Sequence, residues 1–97
     1  MNTPPEIAVE HEPAEHRFVA HIENELAVLD YSPTGERTLD YYRTYVPPSL
    51  RHRGIASQIT ARALDYALEQ GLQVIPSCPF VATFMDRHPE YRSLRAP

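Results

Sequence analysis

The sequence predicts an α+β fold, in which an antiparallel sheet precedes a central helix, a further strand and a short last helix. Two changes of hydrophobic period predict it. Apolar and polar residues alternate over 17–46, as in half-buried strands, and apolar residues then recur every three to four positions over 54–70, as in a helix. A short apolar run follows at 72–75. The 97 residues have room for one core of ordinary size, so 1–97 is expected to be a single domain.

The first half of the chain is expected to form an antiparallel meander. A short first strand is expected at Ile7 to Glu10. The second strand, over 17–22, has Phe18, Ala20 and Ile22 on one face, since side chains alternate along a strand.

Two turn signals separate the next strands. Glu23-Asn24 leads into a strand at Leu26 to Tyr31, and 32–35, with Pro33 and Gly35, leads into a strand at Thr38 to Val46. Strict alternation gives this last strand two faces: Leu39, Tyr41 and Tyr45 on one, and Tyr42, Thr44 and Val46 on the other. Two prolines, at 47–48, end its ladder because proline has no N–H to donate.

The second half is expected to form a helix, a strand and a shorter helix. The central helix runs from Gly54 to Gln70, with one apolar stripe made of Ile55, Ile59, Ala63, Tyr66 and Ala67. Glycine is common at the position directly after a helix, and Gly71 is expected to occupy that position here. The strand at Leu72 to Ile75 is expected to lie parallel to the strand before the helix, since a helix joins them. The last helix runs from about Pro79 to His88.

Composition excludes several classes of protein. A net charge of −4 disfavours general nucleic-acid binding, and Cys78, the single cysteine, has no partner for an internal disulfide. No signal peptide and no apolar run long enough for a membrane span is present, so a cytoplasmic protein is expected. Prolines near both ends suggest poor order at about 1–6 and 95–97. We expect a monomer or a weak dimer.

A basic loop joins the long strand to the central helix. Arg51, His52 and Arg53 precede Gly54 there. A helix N-terminus attracts anions through its unpaired N–H groups, and small residues such as Gly54 and Ala56 allow a phosphate to approach closely. The alternative is that Gly54 merely begins the helix and that the arginines are solvated.

In this context the sequence resembles the GNAT superfamily of N-acetyltransferases. Their cofactor loop has the pattern Arg/Gln-x-x-Gly-x-Gly/Ala, and this chain has Arg51-x-x-Gly54-x-Ala56. Four further runs are similar to those of the smallest members of the family: Tyr45-Val46-Pro47, Gly54-Ile55-Ala56, Pro76-Ser77-Cys78 and His88-Pro89-Glu90-Tyr91. The resemblance spans about 18–94.

The resemblance implies a compact mixed sheet that binds acetyl-CoA where its two central strands separate, at Val46 and near Ile75. Backbone groups at Thr44, Tyr45 and Val46 would hold the pantetheine and the acetyl group. The residues implied for the pyrophosphate are Arg51, His52, Arg53, Gly54, Ile55, Ala56 and Ser57.

Cys78 is a candidate catalytic residue. It follows the strand after the central helix and precedes Pro79, and a thiol at a helix N-terminus can ionise more easily. The resemblance implies that it lies near the acyl end of the cofactor. The alternative is a free cysteine that only packs.

Transfer without a covalent intermediate needs a group that accepts the proton of the amine. His52 and His88 are candidates on intrinsic pKa, although His52 can instead face solvent or a phosphate and His88 can cap a helix. Tyr45 and Tyr91 are candidates to protonate a leaving thiolate. No residue type or spacing identifies the general base.

The leading functional hypothesis is acetyl transfer from acetyl-CoA to an amine of a protein, a peptide or a small molecule. The alternative is a CoA-binding module without efficient transfer. Nucleic-acid binding through 51–53 is disfavoured by the acidic net charge. A metal site is not expected, because His11, His16 and His21 are five residues apart and so alternate between the faces of a strand.

Overall fold

The computed structural model describes residues 7–97, and the order of its elements confirms the predicted α+β class. The strands of the described part are β1 (Glu10–Glu12), β2 (Arg17–Ile22), β3 (Glu25–Pro33), β4 (Thr38–Tyr45) and β5 (Gln73–Ile75). The central helix α1 (Ile55–Gln70) precedes β5, and the short helix α2 (Pro79–Arg87) follows it. Short 3₁₀ segments lie at 13–15, 48–50 and 89–94. None of the helices at 7–97 is long and apolar enough to cross a membrane.

The sheet has the order β1-β2-β3-β4-β5. Each of its first four strands is antiparallel to the next. β5 lies parallel to β4 and pairs with it at three positions, of which Leu39 and Val74 form the central pair. The predicted parallel crossover is therefore confirmed. The first strand begins three residues later than expected, at Glu10, because its ladder with β2 is set by the turn at 13–16, which brings Glu12 opposite Arg17.

One continuous core lies between the sheet and the two helices. Its largest fully buried side chains are Phe18, Leu29, Tyr41, Leu50, Ile59, Leu64 and Met85. The phenol of Tyr41 donates to the carbonyl of Ala63 at 2.6 Å, which ties β4 to α1 inside this core. Burying each large apolar side chain contributes about 1.5–3 kcal/mol, so the contact of α1 with the sheet positions the start of that helix firmly.

A bulge in β4 reverses the predicted faces of its second half. Tyr31 pairs with Tyr41 and Asp30 pairs with Arg43, so Tyr42 has no residue opposite it on β3. One extra residue turns every later side chain to the other face. Thr44 therefore lies opposite the core residue Leu29, and Tyr45 lies on the outer face, where it is 39% exposed. The expectation that Tyr45 shares a face with Tyr41 was wrong.

The last residues of the chain contact the far edge of β5. Arg95 forms a bridge with Val74, and the N–H of Ala96 donates to the carbonyl of Val74 at 2.8 Å. Poor order at 95–97 stays a prediction, and the expectation for 1–6 lies outside the described residues.

Candidate cofactor-binding site

The strands β4 and β5 separate directly after their last pair, Asp40 and Ile75. β4 continues to Tyr45, whereas the chain after β5 turns away into α2. The N–H of Cys78 donates to the carbonyl of Tyr41 at 3.0 Å, so the start of α2 is fastened to the middle of β4. The chain after β5 therefore leaves the sheet, while β4 runs on beyond its last pair and the start of α2 lies beside it.

The loop after β4 enters α1 through two residues with left-handed backbones. His52 has φ 67° and Gly54 has φ 75°, a region that glycine adopts without strain. Gly54 precedes the helix and has no side chain to cap it, and Gln58 donates the first intrahelical bond, to the carbonyl of Gly54 at 3.1 Å. The N–H groups at 55–57 precede that bond and have no acceptor within the helix, and the positive end of the helix dipole favours an anion beside them.

A cavity of about 240 Å³ lies against this first turn of α1. Seven of the residues predicted for the cofactor line it: Val46, Arg51, His52, Gly54, Ile55, Ala56 and Ser57. Leu50 and Phe80 complete its wall. Thr44 and Tyr45 precede it on β4 and do not line it, and neither does Arg53.

The two loop arginines have different environments. Arg51 Nε donates to the carbonyl of Val46 at 3.0 Å and so holds the loop against the end of β4. Arg53 turns to the β2–β3 hairpin, where its guanidinium lies 2.7 Å from the Glu23 carboxylate and lowers the pKa of Glu23. The hydroxyl of Ser49 donates to Glu25 in the same hairpin. Contacts with the end of β4 and with the β2–β3 hairpin therefore hold the loop in place. The Glu23 carboxylate already neutralises the charge of Arg53.

Cys78 lies at the start of α2, beside the part of β4 that extends beyond its last pair with β5. Its side chain is 6% exposed, and its Sγ is 2.9 Å from the hydroxyl of Thr44. Burial opposes ionisation of the thiol, but hydrogen bonds from Thr44 and from the N–H groups of Val81 and Phe80 outweigh it and lower the pKa of Cys78. The lowered pKa makes the thiol easier to ionise, and the thiol contacts Thr44, one of the residues expected to hold the acyl end of the cofactor.

The other candidate catalytic residues lie apart from this thiol. His52 lines the loop cavity and is exposed. His88 lies at the opposite end of α2, about 15 Å away by helical rise, and its ring stacks on Phe84 at 4.0 Å. The phenol of Tyr91 donates to Asp65 on α1 at 2.7 Å, and burial, followed by this bond, raises its pKa. Tyr45 carries the Arg43 guanidinium over its ring on the outer face.

Sequence reasoning missed two residues of the site and the role of one side chain. Phe80 and Leu50 line the cavity, and the hydroxyl of Thr44 contacts the thiol, whereas only the backbone of Thr44 was expected to act. The exposure of Phe80 is a property of the fold, so the sequence carried no signal for the first. The bulge that turns Thr44 inward has no signal in the hydrophobic pattern. Within residues 7–97, no three His, Cys, Asp or Glu side chains are placed to hold a metal ion.

Comparison with known proteins agrees with this architecture. A family model described as GCN5-related N-acetyl-transferase matches residues 17–94. Protein NATD1 from Bos taurus is 33% identical over 85 residues, which cover 86% of this chain and 75% of that protein. Protein NATD1 from Homo sapiens is 32% identical over the same shares of the two chains.

A solved structure has the same fold. The NMR structure of a GCN5-like protein from Staphylococcus aureus superposes with a TM-score of 0.73 and covers 94% of this chain and 89% of that one. At 19% identity, this likeness concerns the fold alone. The family match covers most of the chain, including the loop, the point where β4 and β5 stop pairing and the buried thiol, and the protein therefore belongs to the GCN5-related N-acetyltransferase family.

Proposed function

We propose that the protein transfers an acetyl group from acetyl-CoA to an amine. The observation that carries the proposal is the cavity at the first turn of α1, which gathers seven of the residues predicted for the cofactor beside available N–H groups. Cys78 lies two residues before Phe80 of the cavity wall, and it contacts Thr44, two residues before Val46 of the same wall. When bound, the thioester supplies the activated acetyl group.

Each part of the chain has a distinct task in this proposal. The N–H groups at 55–57 bind the pyrophosphate, and Gly54 keeps the backbone accessible to it. Arg51 holds the loop in place through the carbonyl of Val46. The β4 backbone at 44–46 positions the pantetheine and the acetyl group. Leu50 and Phe80 provide the apolar part of the cavity wall.

Calorimetry with acetyl-CoA tests the binding step. We expect the unchanged protein to bind and a Ser57→Glu variant to lose most of its affinity, since a carboxylate in the cavity repels phosphate. A Gly54→Val variant should also bind weakly, because a β-branched residue is strained at its φ. The matched control is Gly35→Val in the β3–β4 hairpin turn, where valine is also strained, at φ 126°, but away from the cavity, so that it separates the effect of backbone strain from the effect on the site. No binding by the unchanged protein would overturn the proposal.

Cys78 has two candidate roles in the transfer. It can accept the acetyl group, with its thiol proton passing to the CoA thiolate that leaves, or it can donate that proton while the amine attacks directly. The chain offers a clean readout, because all nine of its basic residues are arginines and it has no lysine. With acetyl-CoA alone, the first role adds the mass of one acetyl group to the protein and not to a Cys78→Ala variant. The second role leaves both masses unchanged.

The second candidate function is a CoA-binding module without efficient transfer. It is favoured by the positions of His88 and Tyr91, which lie away from the thiol and leave it without a neighbouring base among the candidates named. Release of CoA with a panel of lysine peptides and small amines distinguishes the two functions. Tight binding with no release across the panel would favour the module.

A further inference from the structure

The sheet has one face without helices. Both α1 and α2 pack on the core face, and within residues 7–97 no helix lies over the opposite face, which we call the outer face. Residues directly opposite each other on paired strands point to the same face of a sheet. The pairing of β1, β2, β3 and β4 therefore places two rows of side chains across the outer face.

The first row alternates in charge from β1 to β4. Its members, in order, are Glu12, Arg17, Asp30 and Arg43. Within the chain, Glu12 and Arg17 lie 2.6 Å apart, and Asp30 and Arg43 lie 2.8 Å apart. The four side chains remain between 20% and 55% exposed. Because a guanidinium has five N–H donors, each of these arginines can bind a second carboxylate.

The second row has an apolar centre. Its members, in order, are Glu10, Val19, Val28 and Tyr45. The two valines are buried although they do not belong to the core between the sheet and the helices. Tyr45 is 39% exposed, and the Arg43 guanidinium lies 5.3 Å from the centre of its ring. Tyrosine and arginine are enriched in protein–protein interfaces, so the accessible part of this face has the composition of a contact surface.

The charged row is complementary to its own reverse. Consider a two-fold axis above the outer face that runs along the strands, between β2 and β3. It places β1 of one copy over β4 of the second, so Glu12 lies opposite Arg43, and Arg17 lies opposite Asp30. An axis that follows the charged row across the strands would instead place each charge over its own copy. The charges therefore select one arrangement of two identical faces.

We propose that the outer face is the contact of a homodimer, in which a second copy of this chain packs on it with aligned strands. In the second row, Glu10 then lies opposite the phenol of Tyr45. Four strands about 4.8 Å apart, each with about six residues at about 3.3 Å, form a face of roughly 400 Å². Two such faces lie at the low end of specific interfaces, so the dimer is weak. The inference does not depend on the proposed function, because the cavity lies beside α1, on the other side of the sheet.

Sedimentation velocity over a series of protein concentrations tests the dimer. The unchanged protein should pass from monomer to dimer as its concentration rises, and added salt should weaken the dimer. An Arg43→Glu variant should dimerise at least about tenfold more weakly, because like charges then face each other at position 12 of the second copy. A Glu12→Arg variant should be weakened in the same way, since it faces Arg43.

An equal mixture of these two variants gives the sharpest result. In a mixed dimer the introduced glutamate faces the introduced arginine, and the unchanged Glu12 of one copy faces the unchanged Arg43 of the other. The mixture should therefore recover the dimer that each variant alone has lost. A general loss of stability or solubility would not be repaired by mixing.

The matched control is Arg62→Glu on α1. It makes the same change of charge as Arg43→Glu, at a side chain that is 51% exposed and paired with Glu69, but on the helix side of the molecule. It should dimerise like the unchanged protein. Urea unfolding checks that each variant folds. If either reversal prevents folding, Tyr45→Glu, which places a carboxylate opposite Glu10, replaces it and should also weaken the dimer.

Two results would overturn the inference and leave the proposed function standing. One is an unchanged protein that remains monomeric over the whole series, which would leave the outer face to a different partner. The other is a mixture of the folded reversed variants that is no more dimeric than its components. A dimeric protein that fails to bind acetyl-CoA would overturn the proposed function alone.

Discussion

The contact between Thr44 and Cys78 is the most specific chemical feature of the molecule at the scale of single residues. A hydroxyl 2.9 Å from a thiol stabilises the thiolate by donating to it, and the N–H groups at the start of α2 add to the effect. Backbone hydrogen bonds hold both residues in place. Thr44 belongs to the ladder between β3 and β4, and the N–H of Cys78 donates to the carbonyl of Tyr41. The pKa of the thiol therefore depends on one neighbouring side chain and on the backbone N–H groups around it.

A Thr44→Val variant should raise the pKa of Cys78, because it removes the hydroxyl that stabilises the thiolate and keeps a similar side-chain volume. Thiolate absorbance followed against pH measures this directly, since the chain has a single cysteine. Thr83→Val, on the exposed side of α2, is the control and should titrate like the unchanged protein. A Thr44→Val curve that overlays the original would contradict this account of the pair.

His11 is enclosed by aromatic rings on the core side of the first strand. Its ring is parallel to Phe18 at 4.3 Å and lies 4.4 Å from Tyr66, and its Nε2 is 2.6 Å from the phenol of Tyr31. Burial lowers its pKa below 6.5, and the positive charge of Arg62 adds to the effect. His11 therefore binds a proton less readily in the folded state than in the unfolded chain.

The consequence is a loss of stability in weak acid. Below the ordinary pKa of histidine the unfolded chain binds more protons at this position, so the free energy of unfolding falls as the pH decreases through and below about 6.5. A His11→Phe variant should lose less stability than the unchanged protein between about pH 7.5 and about pH 5, as followed by urea unfolding. His21→Gln, at an exposed position on β2, is the control. Equal losses in all three proteins would refute the role of His11.

At the scale of elements, the two positions that shape the site are the bulge in β4 and the loop before α1. The loop was predictable, because Gly54 and the prolines at 47–48 fix where the strand ends and the helix begins. The bulge was not, because Tyr42 has the same β propensity as its neighbours and only the pairing with β3 reveals the extra residue. The ion pair of Arg53 could not be predicted either, because its partner Glu23 is thirty residues away in sequence.

The end of α1 depends on one left-handed residue. Gly71 has φ 66°, and its N–H and that of Leu72 close the helix on the carbonyls of Leu68 and Ala67. Gly71→Ala should cost about 1 kcal/mol in the free energy of unfolding, and Gly71→Asn should cost less, because asparagine adopts this backbone more readily. A Cβ here would lie 3.0 Å from the end of the flexible Arg37 side chain, which can move. Urea unfolding of the two variants measures the difference, and an Ala variant as stable as the unchanged chain would contradict it.

At the scale of the whole molecule, both helices pack on one face of a five-stranded sheet, and the last residues return to its β5 edge. Periodicity predicted the number and order of these elements, since each has a clear apolar face. It did not predict the return of the chain to β5. The residues involved, Arg95 and Ala96, have no apolar pattern, and they contact Val74 through backbone atoms alone.

Replacing Ala96 with proline tests the contribution of that return. The change removes the N–H that donates to Val74, and Arg95 already has the extended backbone, ψ 124°, that a following proline requires. We expect a loss of about 1 kcal/mol in the free energy of unfolding, the value of one backbone hydrogen bond. Ala96→Ser keeps the N–H and should match the unchanged protein. Identical unfolding of the proline variant would mean that the segment adds nothing to stability.

The extra residue in β4 also affects how relatives are compared. An ungapped alignment assumes that equal positions face the same way, and Tyr42 breaks that assumption for a relative whose strand is regular. The residue aligned with Thr44 would then come from the outer surface, and the residue adjacent to it would be the true counterpart. In such a relative, the counterpart of the Thr44 hydroxyl has to be found by superposing backbones. A polar residue one position away in the alignment can then contact the thiol as Thr44 does here, and the contact is not missing from that relative.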